Sequence, residues 1–304
     1  MRPKLYRIVT LLAVAVVGFG LTASTGVPVR EFRIPAAARA AGPTSIALGA
    51  DGALWFTQSV AGKIGRISAA GAITAFALPT ANAAPAGIAA GPDGALWFTE
   101  QAANKVGRIA LDGAVREFVL KTPGVLPEGI AAGPDGAIWF TEPHANRIAR
   151  ITTRGAISEF AIPTEGSWPV DITAGPDGAL WFTEASAGRI GRMTIHGAVT
   201  EYPVPTAGAF PTGITAAGGA LWFTEYDGHR IGRITTRGTI TDFRLPSADS
   251  MPKAVARGPN GSMWFTEYDP ARVGRIDAHG RIAESPLANP GSGPTGIASG
   301  RDGR

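Results

Sequence analysis

Gly91-Pro92-Asp93-Gly94-Ala95-Leu96-Trp97-Phe98-Thr99-Glu100 is the stretch on which the fold turns. Its first four residues read as a turn, because proline pre-sets φ at the second position and glycine accepts positive φ at the end. Ala95 to Thr99 follow as a short apolar and aromatic strand. Working outward, Gly87-Ile88-Ala89-Ala90 is a strand before the turn, and Gln101 to Asn104 is a loop beyond it. Lys105-Val106-Gly107-Arg108-Ile109 alternates apolar and polar residues as a third strand. Leu111-Asp112-Gly113 turns the chain into a fourth strand, Val115 to Leu120.

The unit recurs along the chain. Trp55, Trp97, Trp139, Trp181, Trp222 and Trp264 are 42, 42, 42, 41 and 42 residues apart. Each opens Trp-Phe-Thr-Glu except the first, which ends in Gln58, and only Trp168 falls outside the pattern. Four short strands in about 40–45 residues is the spacing of a propeller blade. Complete units begin near Thr44, Ala86, Glu128, Val170, Thr212 and Lys253. Val29 to Pro35 matches the fourth strand of a unit, and Thr295 to Gly300 matches the first. The expectation is an all-β, seven-bladed propeller of four-stranded blades. Its last blade is incomplete in this chain and is closed by the N-terminal strand joining C-terminal residues; the alternative is six closed blades with the two fragments covering the seam.

Composition agrees with a packed, turn-rich fold. Hydrophobic residues make up 45% of the 304 and charged residues 17%, enough apolar surface for a core despite 41 glycines and 24 prolines. The start of the chain reads as an export leader over residues 1–26: basic Arg2, Lys4 and Arg7, an apolar run from Ile8 to Ala23, then small residues at Ala23, Ser24 and Gly26. Residues 27–304 are then a single propeller domain, secreted or periplasmic, without stable membrane insertion once the leader is cut. The formal charge of +4 comes mostly from that leader, since residues 25–304 hold 25 basic against 24 acidic groups. With no clustered basic run, nucleic acid is not an expected partner. The absence of cysteine excludes disulfides and thiolate metal sites. A monomer is expected.

Blade topology sorts the side chains. Loops joining fourth to first strands and second to third strands emerge on one face, termed the top. The bottom turns hold His196 and His279. The residue after each top-loop proline lies near the central channel and varies: Thr44, Ala86, Glu128, Val170, Thr212, Lys253, Thr295. Variation on a constant background is where a site grafted on a scaffold shows. Glu128 and Lys253 are its chemically interesting members, and His144 joins them from a neighbouring top loop. His229 stands in the slot of Asn104 and Asn146, where a left-handed backbone accounts for it. The residue before the proline is Gly42, Ala84, Leu126, Trp168, Phe210, Met251 and Gly293 in turn. Leu126, Trp168, Phe210 and Met251 form an apolar half-rim for a ligand if exposed, and loop packing if turned inward. Second strands end in Gln58, Glu100, Glu142, Glu184, Glu225 and Glu267; these either ring the mouth as oxygen ligands for a cation or accept backbone N–H groups of the loops beyond.

The stretch 91–100, with Asn104-Lys105-Val106-Gly107-Arg108-Ile109 and Ile157-Ser158-Glu159-Phe160-Ala161-Ile162-Pro163-Thr164, resembles the virginiamycin B lyase family, over residues 29–300. The resemblance implies a seven-bladed propeller. It also implies an activity, in which a magnesium ion and a histidine base open a streptogramin B-type cyclic depsipeptide by elimination across its ester. The family's motif resembles Pro-His-Gly in one blade and Glu-Pro-His-Gly in the next, with a Trp-Phe-Thr-Glu carboxylate following. In this chain none of the seven slots after the proline is histidine and none before it is glutamate. The expectation is a member without the histidine base that binds a small molecule, peptide or glycan on the top face. The alternative is a magnesium-dependent carbon–oxygen lyase with relocated groups: Glu128 or His144 as base, Lys253 steadying an enolate, and Glu142, Glu225 or Glu267 on the metal. A third reading is a purely structural or cell-surface interaction module.

Overall fold

A computed structural model describes residues 12–16, 29–34, 42–258 and 261–300. Among these, six four-stranded antiparallel sheets follow one another along the chain, spanning 43–77, 85–119, 130–161, 169–203, 211–244 and 252–286. In each, consecutive strands are neighbours, so every blade is an up-and-down meander. The second sheet shows the pattern: Pro85–Ala90, Leu96–Glu100, Lys105–Ile109 and Val115–Val119, with Trp97 opposite Arg108 and Phe98 opposite Gly107.

Alternation along the second strand decides which side chains meet which blade. Trp97 packs forward onto Ile130, Ile138 and Phe140 of the third sheet. Leu96 and Phe98 pack backward onto Trp55 and Ile64 of the first. The core is therefore a series of apolar layers between blades. Close approach explains the third-strand glycine, since a Cβ on Gly107 would lie 2.1 Å from the Phe98 ring.

Two polar devices repeat within this frame. In the first four blades the aspartate of the bottom turn accepts the buried indole N–H of its tryptophan (Asp51–Trp55, Asp93–Trp97, Asp135–Trp139, Asp177–Trp181; 2.9–3.2 Å). Its second oxygen accepts Nε–H of a third-strand arginine (Arg66, Arg108, Arg150, Arg192) at 2.6–2.7 Å. The second device joins blades. The threonine of Trp-Phe-Thr-Glu donates its hydroxyl to the carbonyl of the channel-slot residue one blade on: Thr57 to Ala86 (2.7 Å), Thr99 to Glu128 (2.7 Å), Thr141 to Val170 (2.9 Å), Thr183 to Thr212 (2.7 Å) and Thr224 to Lys253 (3.0 Å).

The seventh blade differs from expectation. No seventh four-stranded sheet forms among the described residues. Val29–Arg33, expected as its outer strand, pairs instead with Leu12–Val16, Leu12 opposite Arg33 and Val16 opposite Val29. Among the described residues no further strand of that blade stands beside 29–33, and their backbone groups pair with 12–16. Residues 294–300 run as a single segment along the seam between the sixth and first sheets. There Thr295 Oγ1 donates to the Thr44 carbonyl at 2.9 Å, Ser299 Oγ to that of Arg257, and Ile297 packs beside Trp264. Of the export leader expected at 1–26, residues 1–11 and 17–26 lie outside the described residues.

Candidate functional site

The inner end of each first strand brings the slot residues to the channel wall, and the threonine hooks fix where they sit. Glu128 is held at both backbone ends: its carbonyl accepts from Thr99 Oγ1, and its N–H donates to the Thr141 carbonyl at 3.1 Å. The regular strand begins only at Ile130, so Glu128 projects from an irregular backbone. Its carboxyl is pushed up to about 7 by burial; Lys253 opposes the shift and Asp171 adds to it. The three charges share one neighbourhood although they come from the third, fourth and sixth sheets.

Asp171 escapes a reading confined to the slot directly after the proline. It occupies the next one, where the other repeats place Ser45, Gly87, Gly129, Gly213, Ala254 and Gly296. One carboxylate among glycine, alanine and serine was the available signal. Its oxygens accept the N–H groups of Ile172 (2.9 Å) and of Ile214 in the next sheet (3.0 Å). Burial nevertheless raises it to about 6, and those two N–H groups hold it from going further.

Above the channel the top loops carry an arc of large side chains. Trp168 is 39% exposed, and its ring centroid lies 4.9 Å from that of His144, which is itself exposed at the end of a short 3-10 turn. Phe210 meets Tyr226 edge-on at 6.4 Å. Lys253 Nζ stands 5.9 Å from the ring centroid of Tyr268, and Tyr268 is 42% exposed. Leu126, Phe210 and Met251 are half-buried. The half-rim is thus presented most openly at Trp168, and Tyr226 and Tyr268 extend it. These tyrosines follow Glu225 and Glu267 directly, a position held by Ser59, Gln101, Pro143 and Ala185 elsewhere.

The backbone under this arc is strained. The slot before the proline is left-handed in Gly42 (φ +53°) and Gly293 (φ +52°), where glycine carries no penalty. Leu126 (+49°), Trp168 (+55°) and Phe210 (+46°) adopt the same conformation, at about 1–2 kcal/mol each. Replacing Trp168 with glycine is therefore expected to leave the thermal midpoint unchanged or raise stability by about 1 kcal/mol. A midpoint several degrees lower in calorimetry would mean that the indole serves packing. His229 is left-handed too (φ +54°), like Asn104 and Asn146, and its Nδ1 meets the Ser250 carbonyl, so loop geometry accounts for it. His196 and His279 are exposed in bottom turns.

The strand-end glutamates do not line an open mouth. Gln58, Glu100, Glu142, Glu184, Glu225 and Glu267 are fully buried, because they share the strand face of the core leucine and phenylalanine. Nor do their carboxylates take loop N–H groups. Both oxygens of Glu100 and Glu142 lack a hydrogen-bond partner, and Glu267 accepts only the Ser250 hydroxyl, at 2.6 Å. Burial pushes Glu142 to about 7 and Glu100 to about 8, with Glu159 and Glu117 respectively adding repulsion. Glu142, Glu225 and Glu267 belong to three different blades. Among the described residues no three His, Asp or Glu side chains gather where they could hold a metal ion. Glu142, Glu225 and Glu267 therefore do not make up one shared ligand set.

A profile of the virginiamycin B lyase family matches residues 27–304. The chain belongs to the virginiamycin B lyase family. It is similar to a solved streptogramin B lyase at 42% identity, covering 86% of this chain and 89% of that one, with a TM-score of 0.84. It is similar also to virginiamycin B lyase from Staphylococcus aureus, at 43% identity over 86% of this chain and 89% of that one, TM-score 0.82. A further structure of the S. aureus enzyme is a histidine-to-alanine variant, described as catalytically inactive and solved with quinupristin; identity is 42% over 85% of this chain and 89% of that one, TM-score 0.82. No curated protein matches the chain. Against this virginiamycin B lyase background, the seven channel slots of the present chain hold threonine, alanine, valine, Glu128 and Lys253 but no histidine.

Proposed function

We propose that this protein is an exported, ligand-binding member of the virginiamycin B lyase family that lacks the lyases' histidine base. It takes a small molecule, peptide or glycan on its top face. Leu126, Trp168, Phe210 and Met251 make the apolar contacts, and Glu128 and Lys253 supply charge below them. The observation that carries this reading is the strained, exposed Trp168 at a left-handed position that two other repeats fill with glycine, Gly42 and Gly293. Strain of this kind persists where a presented side chain is of use. The same reading counts the ring as seven-bladed, with residues 294–300 at the seventh inner position. Thr295 there repeats the hook that Thr44 and Thr212 make to the carbonyls of Ala86 and Lys253.

The test is incubation of the protein with quinupristin and magnesium, read by chromatography and fragmentation, because elimination opens the ring without changing mass. The antibiotic is expected to be recovered intact. A magnesium-dependent linear product would overturn the reading. It would favour a second one, in which Glu128 or His144 takes the proton and Lys253 steadies the enolate. The supporting observation for that alternative is the Glu128 carboxyl, poised at about 7 on the channel wall.

A further inference from the structure

Glu128 and Asp171 are neighbours on the channel wall beneath the aromatic arc, within electrostatic reach of Lys253, and the three have unequal partners. Asp171 is fixed by the two N–H groups of Ile172 and Ile214. It also lies over the backbone beside Glu128: a Cβ on Gly129 would stand 2.7 Å from the Asp171 Cα and 3.1 Å from its Oδ1. Lys253 has the Tyr268 ring as its neighbour. Among the described residues the Glu128 carboxylate has neither a hydrogen bond nor an ion pair, only the longer-range influence of Lys253 and Asp171. Glu128 is half-buried, so its carboxylate is only partly hydrated, and a partner that completes it has to donate hydrogen bonds or carry positive charge.

We propose that Glu128 and Asp171 form a socket for a protonated amine, carried by a ligand whose apolar or aromatic body rests on Trp168 and its neighbours. This rests on the ligand-binding reading above and names the class of ligand. With both carboxylates ionised and Lys253 protonated, the trio has one excess negative charge, which a single ammonium neutralises. A divalent cation fits less well. It wants six or more oxygens, whereas one of the two carboxylates is already engaged by backbone N–H groups and an ammonium stands in the same cluster. The nearby slot carbonyls of Glu128 and Val170 are also occupied, by the Thr99 and Thr141 hydroxyls. An ammonium has three donors and is satisfied by two or three acceptors.

The probe is phenethylammonium chloride, compared with 2-phenylethanol and 3-phenylpropionate by titration calorimetry on the full chain at pH 8. The ammonium is expected to bind about tenfold or more tighter than the alcohol, and the carboxylate weakest. The advantage should vanish at pH 5.5, where Glu128 is protonated, and in Glu128→Gln. That variant keeps the side-chain shape and removes an unpaired charge, and its fold is checked by circular dichroism. Near pH 7 binding should expel a proton, seen as a heat that depends on the buffer. Equal affinities for ammonium and alcohol, or tighter binding of the carboxylate, would overturn the socket. So would an ammonium advantage that survives in Glu128→Gln, or no binding by any probe. The rim is judged separately. Equal binding of all three probes that is lost in Trp168→Gly would sustain the rim and sink the socket. Glu128-dependent ammonium binding that ignores Trp168→Gly would do the reverse.

Discussion

Thermal unfolding is expected at a clearly higher temperature at pH 5.5 than at pH 8.5, by about 10 °C. The cause is the set of buried strand-end glutamates. Their ordinary value is 4.5, whereas burial carries Glu142, Glu225 and Glu267 to about 7 and Glu100 and Glu184 to about 8. Between pH 4.5 and 8 the folded protein holds protons that the unfolded chain has released. Stability from these groups is therefore complete below about 4.5 and is lost as the pH rises through the folded values. Each glutamate faces an acid–base pair of its own blade: Glu117 and Lys105, Glu159 and Arg147, Glu201 and Arg189, Asp242 and Arg230, Glu284 and Arg272. In every pair the acid opposes ionisation and the base favours it, so the direction set by burial stands. The turn aspartates Asp51, Asp93, Asp135 and Asp177 act oppositely, because their arginine and indole partners hold them below 3.8. Their contribution is lost only as the pH falls through those lower values, so it does not oppose the trend in this window. Glu142→Gln should raise the midpoint at pH 8.5 by a few degrees and leave that at pH 5.5 nearly unchanged. A midpoint that is flat or rising from pH 5.5 to 8.5 would refute this account.

Trp139→Ala is expected to cost about 3–5 kcal/mol, the range for emptying a large aromatic site in a packed core. Trp139 is fully buried between the third and fourth sheets, against Ile172, Leu180 and Phe182, and its ring stacks on Phe160 at 5.4 Å. Removing it opens a cavity in an interblade layer that a rigid ring of sheets cannot close. It also strips the Asp135 carboxylate of the indole donor at 2.9 Å, leaving Arg150 as its remaining charged partner. The measurement is the denaturant midpoint followed by far-UV circular dichroism. A loss under about 1 kcal/mol would mean that the blades move together to fill the space. The contrast with Trp168→Gly is the informative part: one tryptophan supports the scaffold, and the other is presented by it.

That contrast shows what sequence could and could not reveal. The repeat spacing placed the six repeat tryptophans, five of them in the core, their strands and the left-handed slot of His229, because each rests on local chemistry repeated along the chain. Whether Leu126 to Met251 faced solvent depended on loop conformation, which one residue type per slot does not determine. The glutamates could have been placed: Leu96, Phe98 and Glu100 alternate on one face, and two of the three are core. Asp171 was visible as an exception among small residues, but its partnership with Ile214 crosses between blades and has no signature in spacing. The outer strand of the seventh blade misled because Val29–Arg33 matches the repeat in sequence and yet, among the described residues, pairs with Leu12–Val16 and not with a third strand.

The threonine hooks have a consequence for how such a protein changes over time. Five of the seven channel-facing residues are anchored through their own carbonyls by the blade before, so the side chain is not needed to hold them there. Alanine, glutamate, valine and lysine are all accepted at that point on one unchanged frame. The sockets are therefore interchangeable: a new chemistry can be tried at the centre of the ring one codon at a time, with the frame indifferent to the outcome.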